Sequence, residues 1–359
     1  MASSTTAKRA IASTLVLACP LIAVFFVLKP RQAKPETKPI PLKAATRVAA
    51  VPLWSESPLS GNLPYQWYTQ KAFLYRRLDS SLGSASIAPS EHDAAGDVLR
   101  SYQEVGGDLE GAGPTGPADW MLSPDRRWLL TYLGDPEKRF WTAISLDGKK
   151  HIKCPARFHF QPLVCWKSDS SGWIELFRGD NGPNSASYTL AANPVEGPVT
   201  PLARSRTGYN GRPEVLGGVD GDGMAIATWV TDEQNRIPVR VFHMKQPTVP
   251  PARMRITLPP LANLMETELS PDARRLAWVF VIPDHAKHGL RLPFFKSSTP
   301  DTVQQLWTSD FNGGDMRQIA VSDPKTGEAL TAVHFVRWLP DGKTVSFVDH
   351  DSLYTISAE

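Results

Sequence analysis

One short pattern recurs along this chain and restricts its fold more than any other feature. A turn of the form Ser/Leu-Pro-Asp stands at Ser123-Pro124-Asp125, Ser270-Pro271-Asp272 and Leu339-Pro340-Asp341-Gly342, with fainter copies around Ser168–Gly172 and Asp222-Gly223. Pro presets φ for a tight bend and Asp or Gly closes it, so each copy reads as a turn. Each leads into a short apolar run that reads as a strand: Leu129–Tyr132, Ile174–Phe177, Ala225–Thr228, Leu276–Val279 and Val345–Phe347. The turn centres lie about 45, 51, 51 and 69 residues apart, which is the spacing of a repeat architecture with insertions.

A second half-repeat follows some of these strands. Arg139–Cys154 and Gln305–Ala320 each read as an aromatic-bearing strand, a hairpin turn at Asp147-Gly148 or Asn312-Gly313-Gly314, and a return strand. Leu353–Ser357 is a truncated copy. The unit is therefore four antiparallel strands, a propeller blade. The 32 Pro residues agree with many short strands and no long helices in the repeat region. Because the last unit shows only about three strands, its fourth is expected from Thr46–Trp54, without which an edge would stay open.

On these residues, the Ser-Pro-Asp turns together with Leu306-Trp307 through Gly313-Gly314, the chain resembles the six-bladed TolB-like propellers from about Asn62 to Glu359. The resemblance implies an all-β propeller of six blades with four antiparallel strands each. It departs from the family pattern where Arg126 and Ala273 replace the turn glycine, and in the first blade around Gln66–Asp79, which lacks the turn. TolB-like blades also occur in prolyl-oligopeptidase-type enzymes, where a serine hydrolase domain follows the propeller. This sequence contains no Gly-x-Ser-x-Gly elbow, Walker loop or His-Glu-x-x-His motif, and no catalytic residue is assigned.

Ahead of the repeats, Ala10–Leu28 carries no charge over nineteen residues. At about 1.5 Å per residue that nearly spans a hydrocarbon core of roughly 30 Å. The expected organisation is a tail over 1–9, a transmembrane helix over 10–28, a Pro/Lys-rich linker over 29–45 and the propeller over 46–359. A lipoprotein anchored at Cys19 is the alternative, since Val16-Leu17-Ala18-Cys19 fits a lipobox. The charges flanking the span conflict with export. Large domains translocate largely regardless of charge, so an extracytoplasmic propeller is favoured over a cytoplasmic one.

Chemistry-bearing residues are few. Cys154 and Cys165 are a candidate disulfide, with two separate buried thiols as the alternative. His151, Cys154, His159 and Cys165 make a poor zinc set, because residues three apart on a strand face opposite ways. Gly111–Gly116 matches a dinucleotide fingerprint, but prolines and a strand follow where a helix is needed, and Asp220–Gly223 reads as a turn. No cofactor or metal is expected. A net charge of +3 spread along the chain gives no support to nucleic-acid binding. The expected function is a non-enzymatic, membrane-tethered, monomeric platform for a protein or envelope component. Arg291, Phe294, Phe295 and Lys296 in the insertion between Pro283 and Val303 are its candidate contact residues. The alternative is a propeller enzyme, lactonase-like or glycan-cleaving, with its site in the central channel.

Overall fold

The computed structural model describes residues 40–50, 65–76, 82–86, 120–133, 140–153, 163–179, 187–196, 203–206, 213–228, 231–243, 252–283, 302–350 and 352–359. Contacts divide the chain into two units, Met1–Ile40 and Pro41–Glu359, and every strand among the described residues belongs to the second. The span Ala10–Leu28 and most of the linker lie outside the described residues. Among those described, no helix is long and apolar enough to cross a membrane.

All regular structure among the described residues is β. After β1 (Lys43–Ala44) and β2 (Thr46–Ala50), the first sheet comprises β3 (Tyr65–Trp67), β4 (Ala72–Arg76) and β5 (Leu82–Ser86). The second runs β6 (Trp120–Leu122), β7 (Trp128–Leu133), β8 (Phe140–Ser145), β9 (His151–Lys153), and the third β10 (Leu163–Trp166), β11 (Gly172–Gly179), β12 (Ser187–Pro194), β13 (Ala203–Arg206). The fourth holds β14 (Pro213–Val219), β15 (Gly223–Thr228), β16 (Arg236–His243) and β17 (Ala252–Thr257). The fifth holds β18 (Asn263–Leu269), β19 (Arg275–Pro283), β20 (Thr302–Asp310) and β21 (Arg317–Ile319). After β22 (Val321–Ser322), the last sheet is β23 (Val333–Trp338), β24 (Thr344–Asp349) and β25 (Ser352–Ser357), with β2 as its fourth strand.

The first strands of successive sheets touch in a closed cycle. Leu122 N–H donates to Gln66 Oε1, and Trp166 Nε1 donates to the Met121 carbonyl. Gly218 lies against the Trp166 carbonyl so closely that a Cβ there would sit 2.0 Å from it, and Gly217 lies against Leu269. Trp338 Nε1 donates to the Glu268 carbonyl, and Tyr65 Oη donates to Phe335 O across the last junction. A cycle of first strands with later strands stacked outward is a β-propeller. The expectation of six four-stranded blades is met by five. The sheet β3–β5 has three strands among the described residues, in the segment whose sequence lacks the Ser-Pro-Asp turn.

The recurring motif builds one repeated turn. Arg126, Ser170, Ala273 and Gly342 each donate their N–H to the carbonyl three residues back, at Ser123, Lys167, Ser270 and Leu339. The aspartate caps the bend, Asp125 accepting from Ser123 Oγ at 2.6 Å and Arg127 N at 3.1 Å, and Asp272 accepting from Ser270 Oγ and Arg274 N at 2.6 and 3.2 Å. Burial works against the Asp125 charge, but the hydrogen bonds from Ser123 and Arg127 outweigh it and hold the carboxyl below its usual range. A folded-state value below the unfolded one contributes stability above the unfolded value, which is lost as pH falls through the folded one. Unfolding midpoints are therefore expected to drop as pH falls below about 4, with a shallower drop in Asp125→Asn; a pH series of urea melts checks this.

Strands in blade interiors are covered on both faces by neighbouring blades, so they read as continuous apolar runs. In β19 Leu276, Ala277, Trp278, Val279 and Phe280 are all 0% exposed. Ser346 links the first and last blades. It accepts from Trp67 Nε1 at 2.7 Å, donates to Arg337 O at 3.1 Å and lies 2.9 Å from Tyr65 Oη. Ser346→Ala leaves the buried Trp67 N–H without that acceptor and is expected to cost about 1–3 kcal/mol in urea unfolding.

Pairing begins at Lys43, inside the stretch read as linker. There β1 runs parallel to β22, and β2 then pairs antiparallel with β25. The strand expected from Thr46–Trp54 to complete the last blade is thus present as Thr46–Ala50.

Candidate functional site

The described charges on the innermost strands come from two blades, joined by one from a turn of a third. Glu266 and Glu268 are on β18 and Arg337 on β23, the inner strands of the last two blades. Both strands carry bulges, at Met265 in β18 and at Phe335-Val336 in β23. A bulge re-aims the residues beside it, and here it frees backbone groups for side chains. Phe335, at φ 53°, turns its carbonyl to Tyr65 Oη at 2.8 Å, while Val336 N–H donates to Glu266 Oε2 at 3.1 Å.

Arg337 Nη1 lies 3.5 Å from Glu268 Oε2. The Arg337 side chain is 7% exposed, whereas that of Glu268 keeps 32% of its surface open although it stands on an innermost strand. The lumen beside Glu268 is therefore accessible to water but enclosed by protein. That enclosure dominates the carboxyl's acidity. Burial pushes its pKa up, Arg337 and then Arg126 pull it down, and Glu266 adds a further upward push. Tyr65, fully enclosed, is likewise pushed up by burial, against the bond from Ser346.

Arg126 completes the group. It sits on the β6–β7 turn of the second blade, and its charge acts on Glu268 of the fifth. Burial lowers the pKa of its guanidinium, with Glu268 and then Asp125 opposing. Its backbone is in the left-handed region at φ 60°, a conformation that costs a non-glycine residue about 1–2 kcal/mol. Among the described residues, the buried Nε atoms of both Arg126 and Arg337 have no hydrogen-bond partner. An arrangement of this kind holds acids that already have donors and cations whose donors still want an acceptor.

The residues singled out from sequence lie elsewhere. Arg291, Phe294, Phe295 and Lys296 lie outside the described residues. The strands flanking their insertion end at Pro283 and Thr302, which pair with each other at the end of the blade away from the Ser-Pro-Asp turn. Cys165 is a free thiol, 4% exposed and packed with Ile174, Leu176, Met224 and Phe242, and burial raises its pKa well above the ordinary range. Cys154, its candidate disulfide partner, lies outside the described residues, as do His159 and Gly111–Gly116. Among the described residues no group of three His, Cys, Asp or Glu stands close enough to hold a metal ion.

Sequence reasoning missed the axial group itself. It noted Arg126 only as a departure from glycine. A signal was available in register: two positions before each turn stand Met121, Cys165, Glu268 and Arg337, so opposite charges occupy the same place in adjacent blades.

No family model matches the sequence, and no curated protein does. Among solved structures the chain is similar to a protein described as TolB from Agrobacterium tumefaciens, at 15% identity and a TM-score of 0.39 over 65% of this chain and 70% of that one. It is also similar to oligogalacturonate lyase from Vibrio parahaemolyticus, at 9% identity and a TM-score of 0.39 over 88% and 91% of the two chains. A third similarity is to the tricorn protease, at 9% identity and a TM-score of 0.41, where 89% of this chain spans 34% of that one. These likenesses are distant, and the propeller assignment rests on the strand pairing described above.

Proposed function

We propose that this chain is a membrane-tethered propeller, exported from the cytoplasm, that works as a non-enzymatic binding platform for a protein or cell-envelope component. The observation that supports it is the pair of buried, unpartnered guanidinium donors beside acids that are already engaged. Preorganised donors of this sort favour recognition of an acceptor-bearing partner entering the hub. The insertion carrying Arg291, Phe294, Phe295 and Lys296 offers a second contact at the opposite end of the blades.

Crosslinking and pull-down from membranes tests the reading. Replacing residues 284–301 with a two-residue Asn-Gly turn lets Pro283 and Thr302 still pair, so the fifth blade is kept. Partner capture by this variant is expected to fall at least about tenfold, which corresponds to about 1.4 kcal/mol of binding. An unchanged set of partners removes the loop from the proposal. Alkaline phosphatase fused after Glu359 is expected to be active, and an inactive fusion places the propeller in the cytoplasm.

One observation favours the enzyme alternative. Burial raises the pKa of Glu268, and a second carboxylate, Glu266, stands two residues away on the same strand. Paired carboxyl groups of unequal acidity serve glycoside cleavage. Turnover of aryl glycosides that disappears in Glu268→Gln would decide for that reading.

A further inference from the structure

We propose that Arg126 anchors a binding site for a carboxylate group at the turn-side mouth of the hub. This deepens the binding-platform reading and rests on it.

The left-handed position of the repeated turn is occupied by Arg126 (φ 60°), Ser170 (φ 60°), Ala273 (φ 57°) and Gly342 (φ 61°). Glycine suits that backbone, and the two other non-glycine residues, Ser170 and Ala273, add little beyond the Cβ. Ser170 also has a structural task, its Oγ accepting the Asp125 N–H of the neighbouring turn at 2.9 Å. Arg126 has no such task. The capping carboxylate of its own turn is served by the next residue, Arg127, whose Nε donates to Asp125 Oδ2 at 2.7 Å. A long cation therefore occupies a strained position that glycine would fill better, and among the described residues the turn's hydrogen bonds do not use its guanidinium. Strain of this kind, seen first and explained second, points to function.

What the guanidinium lacks is an acceptor. Its Nε is buried and unpartnered, and the facing carboxylate, Glu268, is already ion-paired with Arg337 at 3.5 Å. The other acid, Glu266, accepts the Val336 N–H. A planar monoanion fits the guanidinium fork in two parallel hydrogen bonds. A dianion such as phosphate would meet greater repulsion from Glu266 and Glu268, so the carboxylate is the favoured chemistry. Its source is either a free small acid or an acidic side chain of a peptide.

The charge balance predicts how pH acts. The groups facing Glu268 are Arg337, Arg126, Glu266 and Tyr65. With all four Arg and Glu charges present the group is neutral, and an added carboxylate makes it negative. Protonation of Glu268 restores neutrality, and its carboxyl is already pushed upward by burial. Binding should therefore be accompanied by proton uptake and tighten as pH falls.

The test is calorimetric titration of the full chain with glutarate and with a blocked Gly-Glu-Gly tripeptide, each at pH 5.5 and 7.5, with blocked Gly-Gln-Gly as control. Saturable binding of at least one carboxylate probe is expected, tighter at the lower pH, with none for the glutamine control. The probe that binds identifies the source. Arg126→Gly is expected to weaken binding at least tenfold while its unfolding midpoint stays equal to or above that of the parent; Arg126→Lys should retain part of the affinity. Absence of binding by both probes overturns the proposal, as does unchanged affinity in Arg126→Gly. A fall in its unfolding midpoint would make Arg126 a structural residue and also overturn it. Should Arg126→Gly abolish partner capture from membranes while neither probe binds, the platform stands and the carboxylate falls.

Discussion

A chain that begins at Val51 should unfold at a much lower temperature than one that begins at Ile40, and should self-associate as its concentration rises. The shorter chain lacks β1 and β2, so β25 loses its antiparallel partner along Thr46–Ala50 and β22 loses its parallel one. It also loses Ala45, 2% exposed in the core of the last blades, the packing of Val48 against the cluster that contains Tyr65 and Leu353, and the Arg47 Nη2 to Ser352 Oγ hydrogen bond at 2.8 Å. Removing a whole strand combines lost burial with unsatisfied backbone groups, so the cost should exceed the roughly 4–5 kcal/mol that is exceptional for one residue. The bare edge of β25 then presents a row of free N–H and C=O groups to any other chain. Differential scanning calorimetry and light scattering over a concentration series check both effects. Equal melting temperatures for the two chains would mean that closure through the N-terminal strand contributes little.

Trp278→Ala should be the most damaging single substitution in the fifth blade. Trp278 is 0% exposed, stacks on Phe280 with ring centroids 5.8 Å apart at 14°, and donates Nε1–H to Ser309 Oγ at 2.9 Å. Truncating a buried Trp to Ala costs about 3–5 kcal/mol through lost transfer energy and the cavity left behind. Against a total stability of about 5–15 kcal/mol this consumes a large share, and the melting temperature should fall by on the order of 10 °C. Trp307, its cross-strand neighbour, is only partly buried and meets Phe280 edge-on at 6.0 Å, so Trp307→Ala should cost clearly less. A reversed order would contradict the blade-interior packing.

The parts of the fold that were readable from sequence are those built by local chemistry. Ser123, Asp125, Ser270, Asp272 and Asp341 make their bonds within a few residues, so the turn and the strand after it are written in adjacent letters. The hairpin turns at Gly148 (φ 69°) and Gly313 (φ 83°) were readable for the same reason. The first blade was harder, because Tyr65–Trp67 and Ala72–Arg76 are joined by a short bend without the motif, and its sheet has three strands rather than four among the described residues. The axial group was harder still. Glu268 and Arg337 are 69 residues apart, and nothing near either one signals that bulges at Met265 and Phe335-Val336 bring the two strands' charged residues together. Arg126 was visible only as a residue in the wrong place, and its meaning needed the fifth blade.

The pairing of Arg47 with its partner on β25 also fixes a timetable. The two residues joined by the Arg47–Ser352 hydrogen bond are 305 positions apart, so at about 5–20 residues per second of synthesis the early strand must wait roughly 15–60 s for its match. During that interval the nascent chain carries completed blades with an unfilled vacancy at the seam. A ribosome-bound chain stalled before Ser352 should therefore be a better chaperone client than one stalled once Glu359 has emerged.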